Sequence, residues 1–172
     1  RGIRLSLAKP QIFRVQVRAL LRAAPSGNLK VMFPMISVPS EYAAARVIFI
    51  EEAAALGLPV PPLGIMVEVP AVAIHPGAFR DVAFFSIGSN DLTQYVMAAG
   101  RDNGAVAELG DPRNPAVLGL IHTVAEYGRT TGSPVSLGGD AGGDPRVIPS
   151  LITAGMRALS VTPAQLPLAK AT

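Results

Sequence analysis

Phe84-Phe85-Ser86-Ile87-Gly88-Ser89-Asn90-Asp91-Leu92-Thr93-Gln94-Tyr95 is the stretch from which the rest of this sequence is best read. Val82 to Ile87 is a short apolar run that predicts a buried strand. Gly88 breaks the run. Ser89-Asn90-Asp91 follows, with side chains suited to turns, hydrogen bonds and metal ligation. Arg101 comes a little later, in Gly100-Arg101-Asp102-Asn103. A strand that ends in a carboxylate, an amide and a nearby guanidinium suits a metal ion and an anionic substrate. In parallel α/β folds, ligands bind at the carboxyl ends of the strands.

Upstream, Leu63 to Val69 reads Leu-Gly-Ile-Met-Val-Glu-Val, a strand with one misfit, Glu68. An unpaired carboxylate among apolar neighbours costs on the order of several kcal/mol. Glu68 therefore needs an ion-pair partner or a cation, and both readings stay open at this point. Further back, Val31-Met32-Phe33 is a short strand ended by Pro34. A helix is expected from Pro10 to about Ala24, with Phe13, Val17, Leu20, Leu21 and Ala24 on one face and Arg14, Arg18 and Arg22 opposite. Pro39 to Leu56 is the next helix, with Glu41, Arg46, Glu51 and Glu52 for solvent and Gly57 as its stop. Arg1 to Leu7 is read as the tail of a further strand.

Downstream, Ala71 to Arg80 is a weak helix interrupted at Pro76-Gly77, and Asp91 to Ala99 one or two helical turns. Asn114-Pro115 is an N-cap with proline at the first helical position. Val117, Leu120, Ile121 and Val124 give that helix its buried face. His122 falls outside this set and is read as exposed; His75, beside Pro76-Gly77, is read as a loop residue. Pro134 to Leu137 is another strand, running into Gly138-Gly139-Asp140-Ala141-Gly142-Gly143-Asp144. Such a loop can present backbone N–H groups to an anion, although glycine loops are common. A helix is expected from Asp144-Pro145 to near Gly155, a strand from Ala158 to Val161 and a last helix from Pro163 to Lys170.

Strand and helix alternate with turn signals at each junction, which predicts an α/β fold with a parallel sheet. Five strands are expected, at 30–35, 63–69, 82–87, 134–138 and 158–161, and the tail of a sixth at 1–6. An eight-stranded (β/α)8 barrel typically takes about 250 residues. A chain of 172 residues is too short to close one and fits a single domain, an open part of such a barrel.

Composition narrows the function classes. Hydrophobic residues make up 49% and aromatics only 5%, so an aliphatic core is expected. No run reaches the roughly 18 apolar residues of a membrane span, and the opening Arg1-Gly2-Ile3-Arg4 is neither a signal peptide nor a start at Met, so a soluble fragment or processed piece is expected. Cysteine is absent, which excludes disulfides, thiolate metal sites and a cysteine nucleophile and accords with the cytoplasm. The net charge of +3 is modest. The arginine stripe reads better as a solvated helix face than as a phosphate contact, and no basic and aromatic interleaving supports nucleic-acid binding.

At these residues the chain resembles enzyme I of the bacterial phosphoenolpyruvate–sugar phosphotransferase system, in its phosphoenolpyruvate-binding barrel. The matching blocks are Val31 to Met35, Gly64 to Pro70, Phe84 to Tyr95, Pro115 to Leu118, Gly138 to Asp140 and Leu159 to Pro163, in the family's order and over nearly the whole chain. Pyruvate phosphate dikinase and phosphoenolpyruvate synthase share a related domain. The resemblance implies the later part of a (β/α)8 barrel, Mg²⁺ on Glu68 and Asp91, and phosphoenolpyruvate held by Arg1, Asn90, Asp91 and Arg101. It implies phosphoryl transfer to a histidine of another domain, then to a phosphocarrier protein. Two carboxylates suit a hard cation, and arginines suit phosphate.

The family has a cysteine, taken as the acid that protonates the enolpyruvate carbon, where this chain has Gly138. Its histidine motif surrounds neither His75 nor His122. A phosphotransferase, a phosphoenolpyruvate-binding module without turnover, and an assembly piece with exposed barrel edges are the three functions to weigh. The uncovered edges also predict a homodimer.

Overall fold

The structure is a computed structural model that describes residues 1–100 and 102–172. Arg101, the guanidinium expected after the Asn90-Asp91 turn, lies outside the described residues. Among those described, four parallel strands lie side by side in chain order: β1 (Val31–Phe33), β2 (Leu63–Val67), β3 (Phe85–Gly88) and β4 (Val135–Gly138). The α/β fold with a parallel sheet is as expected, and helices follow the strands as in the repeating unit of a (β/α)8 barrel.

Strand register sorts the side chains onto two faces. Phe33, Ile65, Phe85 and Val135 are level with one another, as are Val67, Ile87 and Leu137 one step further along. This face packs against helices. Phe33 meets Phe13 of α2 (Pro10–Ala23) and both Tyr42 and Phe49 of α3 (Pro39–Leu56) in edge-on or tilted ring contacts of 5.6–6.3 Å. Phe85 meets Tyr127 in the same way. The expected aliphatic core therefore has an aromatic knot at its centre, because the few aromatics are concentrated where β1 and β3 meet the helices. The opposite face carries smaller or polar residues, with Met66, Ser86 and Ser136 in one row and Gly88 beside Gly138.

The strand expected at 1–6 is instead a helix, α1 (Ile3–Ala8). Gly2, at φ +59°, turns the chain, and the Ile3 N–H donates to the Pro34 carbonyl. The strand expected at 158–161 is reduced to one bridge, Leu159 against Leu137. It lies between the Gly155 turn, at φ +100°, and Pro163, and its bonds run from the Leu137 N–H to the Ala158 carbonyl and from the Ser160 N–H to the Leu137 carbonyl. Among the described residues the sheet thus has four strands rather than five or six.

Between β2 and β3 lies α4 (Pro70–Ile74), stopped at His75 before a turn of 3-10 helix over Pro76–Ala78. After β3 come α5 (Ser89–Val96), a 3-10 segment over Gly104–Gly110 and α6 (Pro115–Thr131), which Asn114 caps by accepting from the Ala116 N–H. Val117, Ile121 and Val124 of α6 are buried as expected, while Leu120 is only partly so. His75 and His122 are exposed, also as expected. After β4 come α7 (Asp140–Gly143), α8 (Ile148–Thr153) and α9 (Leu166–Ala171). The helix expected from Asp144 begins only at Ile148, because the Asp144 carboxylate closes a turn on the N–H and guanidinium of Arg146.

The arginine stripe of α2 is more than a solvated face. Arg14 donates to Glu51 and Glu52 of α3, and Arg18 chelates Glu52. Glu52, read as a solvent residue, is 6% exposed beneath the two guanidinium groups.

Candidate functional site

Every described residue singled out for chemistry lies at the carboxyl end of the sheet or beside it. Glu68 directly follows β2. Gly88 is the last residue of β3, not a break before its end, and Ser89-Asn90-Asp91 forms the first turn of α5 rather than an irregular turn. Gly138 ends β4, and Arg1 leads into α1, which is tied to Pro34 just past β1.

Glu68 is 6% exposed. No cation pairs with its carboxylate among the described residues; Oε2 accepts from the Met35 N–H at 2.8 Å. Met35 holds φ at +56°, a conformation rarely adopted by residues with a side chain, and its backbone supplies the donor. Burial raises the Glu68 carboxyl above its usual range, and the neighbouring Asp91 carboxylate pushes it further; the Met35 N–H and the Arg1 charge act the other way. Gly88 makes this arrangement possible. A Cβ there would stand 2.7 Å from Glu68 Cγ, so only glycine lets the glutamate cross the end of β3.

Asp91 accepts from Arg1 Nη2 at 2.6 Å, and Arg1 Nη1 donates to the Tyr95 hydroxyl at 3.3 Å. Arg1, Asp91 and Glu68 therefore form one electrostatic group built from residues far apart in sequence. Among the described residues, these two carboxylates have one guanidinium, the mostly exposed Arg1 bonded to Asp91, which leaves them an excess of negative charge. Oxygen ligands of this kind fit a hard cation. Among the described residues no three His, Asp or Glu side chains gather to hold a metal. A cation held by Glu68 and Asp91 would thus keep several water or substrate oxygens, as Mg²⁺ does.

Asn90 is held apart from this pair by the loop after β4. Its Oδ1 accepts from the Asp140 N–H and its Nδ2 donates to Asp140 Oδ2, both at 3.1 Å. Ser89 Oγ donates to the Gly138 carbonyl at 2.8 Å. Gly139, at φ +101°, passes so close that a Cβ would lie 3.0 Å from Asn90 Oδ1. Gly138 is different: a Cβ there would meet only Ser160 Cβ, at an ordinary 3.6 Å.

Sequence reasoning missed three members of this neighbourhood. Asp140 holds the Asn90 amide, and its place in the Gly-Gly-Asp block was the available signal. Tyr95 shares Arg1 and closes the block that opened the reading. Thr93, whose buried hydroxyl has no hydrogen-bond partner among the described residues, lines a cavity of about 240 Å³ beside Asn90 and Asp140. It too lies in the Phe84–Tyr95 block, but its chemistry gave no separate signal.

A family profile described as "PEP-utilising enzyme, PEP-binding domain" matches residues 1–172. The phosphoenolpyruvate-protein phosphotransferase of Geobacillus stearothermophilus is 46% identical over 99% of this chain and 32% of its own length. That of Bacillus subtilis is 44% identical over the same shares, and that of Lactococcus lactis 42% over 93% of this chain and 29% of its own length. The chain thus spans about a third of the length of these relatives. A citrate lyase from Burkholderia xenovorans superposes with a TM-score of 0.67 at 21% identity, over 92% of this chain and 52% of that one, a likeness of fold. The chain belongs to the phosphoenolpyruvate-binding domain family of the phosphoenolpyruvate-utilising enzymes.

Proposed function

We propose that this chain is the phosphoenolpyruvate-binding domain of a phosphoenolpyruvate–protein phosphotransferase, with residues 1–172 as one domain of an open-barrel type. In this reading the phosphoryl group passes to a histidine of a separate domain and on to a phosphocarrier protein, the first step of sugar transport, in the cytoplasm. The observation that carries the proposal is the meeting of Glu68, Asp91 and Arg1 at the carboxyl end of the sheet, in a family defined by phosphoenolpyruvate use.

Glu68 and Asp91 would hold Mg²⁺, which when bound neutralises charge on the phosphoryl group as it leaves. Arg1, paired with Asp91 and with most of its side chain exposed, is free to turn a second N–H edge to a phosphate or carboxylate oxygen. The Asn90 amide, oriented by Asp140, holds a fixed donor at the edge of the site. Arg101 is the further guanidinium that the family resemblance assigns to the substrate. The Met35 N–H keeps Glu68 aimed at the site while burial excludes water from its far side.

The test is calorimetric titration of phosphoenolpyruvate into the chain with and without Mg²⁺. Binding should require Mg²⁺ and weaken at least about tenfold in Glu68→Gln, Asp91→Asn and Arg1→Gln, since each loses a charge-assisted contact. Mg²⁺-independent binding that survives all three substitutions would overturn the proposal. A second reading, binding without turnover, is favoured by Gly138, which offers no acidic side chain where the family carries cysteine.

A further inference from the structure

The sheet has a second end, and a cavity opens there that the phosphoenolpyruvate site does not use. It measures about 470 Å³, within the usual range for small-molecule pockets. It lies where β4 begins at Val135, between the last turns of α6 and the Gly155–Arg157 turn that follows α8. Its lining is divided in character. Ala125, Val135 and Met156 give an apolar wall, with Met156 only 1% exposed. His122, Glu126, Arg129 and Arg157 give a polar rim.

The charges on that rim are unequal. Arg129 is already matched, its Nε and Nη2 donating to Glu126 at 2.7 and 2.5 Å. Arg157 meets no carboxylate within ion-pair distance among the described residues. Its Nη1 donates to the carbonyls of Ile152 at 3.0 Å and Met156 at 2.7 Å, which pins the guanidinium by one corner and leaves Nε and Nη2 for another acceptor. His122 Nδ1 lies 3.3 Å from the Ala154 carbonyl, which can only accept. The hydrogen-bonded imidazole therefore donates from Nδ1 and turns its other nitrogen, Nε2, away from that bond. A guanidinium held by one corner, with no carboxylate partner among the described residues and an apolar wall beside it, suits a carboxylate with a hydrocarbon body, and a polar group on that body would find His122.

We propose that this cavity is a binding site for small amphipathic carboxylic acids, anchored by Arg157 and separate from the phosphoenolpyruvate site. The proposal does not depend on the function proposed above.

Phenylacetate is a suitable probe and its neutral analogue phenylacetamide the control, titrated into the isotope-labelled full chain and followed by amide chemical shifts. Phenylacetate should shift the amides of Ala125, Gly128, Gly132 and the Gly155–Arg157 turn saturably, and phenylacetamide should bind at least about tenfold more weakly. Arg157→Gln should weaken phenylacetate by a similar factor, and Arg157→Lys should recover part of the loss. The proposal is overturned if the shifts do not saturate, if they map to Asn90 and Asp91 instead, or if acid and amide bind alike. The comparison of acid with amide uses the unaltered chain, so it decides the matter even if Arg157→Gln fails to fold.

Discussion

Two glycines at adjacent strand ends make opposite demands on the chain. Gly88 and Gly138 are paired across β3 and β4. At Gly88 an added Cβ would press on Glu68 Cγ at 2.7 Å, and Glu68 is buried and tied to Met35, so it cannot retreat. Gly88→Ala should therefore destabilise the fold by about 1–3 kcal/mol, the usual penalty of overpacking, and should abolish Mg²⁺-dependent binding of phosphoenolpyruvate. Chemical denaturation and calorimetry of the variant check both. At Gly138 a side chain finds space, with Ser160 Cβ at 3.6 Å and no left-handed backbone to forbid it. Gly138→Cys should leave stability within about 0.5 kcal/mol and phosphoenolpyruvate binding unchanged. If the missing acid limits turnover, the same variant should speed pyruvate release about 10²-fold or more when a histidine-bearing acceptor domain is supplied. A variant that folds and binds but turns over no faster would remove position 138 from the chemistry.

The elements show which parts of the sequence could be read and which could not. The long helices α2 and α6 were legible from proline at the first turn and apolar spacing, and α3 from an Ala-rich run between Pro39 and its glycine stop, Gly57. The central strands β2 and β3 were legible as apolar runs. The ends were not. Ile3 to Leu7 has too few residues for a period to emerge, and its helical state depends on a bond to Pro34, which local sequence cannot reveal. The site residues were named from the family resemblance and from the oddity of a glutamate in a strand. Their mutual geometry depends on register and on the left-handed Met35, which no propensity predicts. The burial of Glu52 was missed for a similar reason, since its partners Arg14 and Arg18 lie on another helix. That pairing carries a pH prediction. Hydrogen bonds from Arg18 and then Arg14 hold the Glu52 carboxyl down to about 2. A carboxyl with a lowered folded pKa stabilises the fold fully above the ordinary carboxylate range and loses that contribution as pH falls toward about 2. The melting temperature should therefore fall across this acidic window. In Arg18→Gln the fall should be shallower, because less of the stabilisation is present to lose. Thermal melts of both proteins between neutral pH and the acid limit measure it, and parallel curves would count against the pairing.

At the scale of the whole molecule, the described part of the sheet ends at β1 on one side and is extended on the other by the Leu137–Leu159 bridge. Parallel sheets are normally covered on both faces and seldom left with bare edges, because unpaired N–H and C=O groups template further pairing. Among the described residues β1 pairs with β2 alone, and Met32 in its middle is 42% exposed. Lys30 and Pro34 flank the strand, but neither charge nor proline, the usual protections of an exposed edge, stands within Val31-Met32-Phe33 itself. The 172-residue polypeptide should therefore self-associate through this edge, either to a discrete dimer or to larger species. Sedimentation velocity over a range of concentrations reads this directly. Met32→Lys places a charge on the edge while keeping the Phe33 face intact, so it should shift the population toward monomer by about tenfold in apparent affinity, the scale of one lost apolar contact plus a charge repelled by its copy. Because Met32 lies on the face opposite the aromatic knot, the variant should melt close to the parent. A parent chain that sediments as a monomer at every concentration would show that the edge is protected in some other way. Unchanged association in Met32→Lys would move the interface elsewhere, to the bridge at Leu159 or to the exposed apolar residues Ile12 and Val15 of α2.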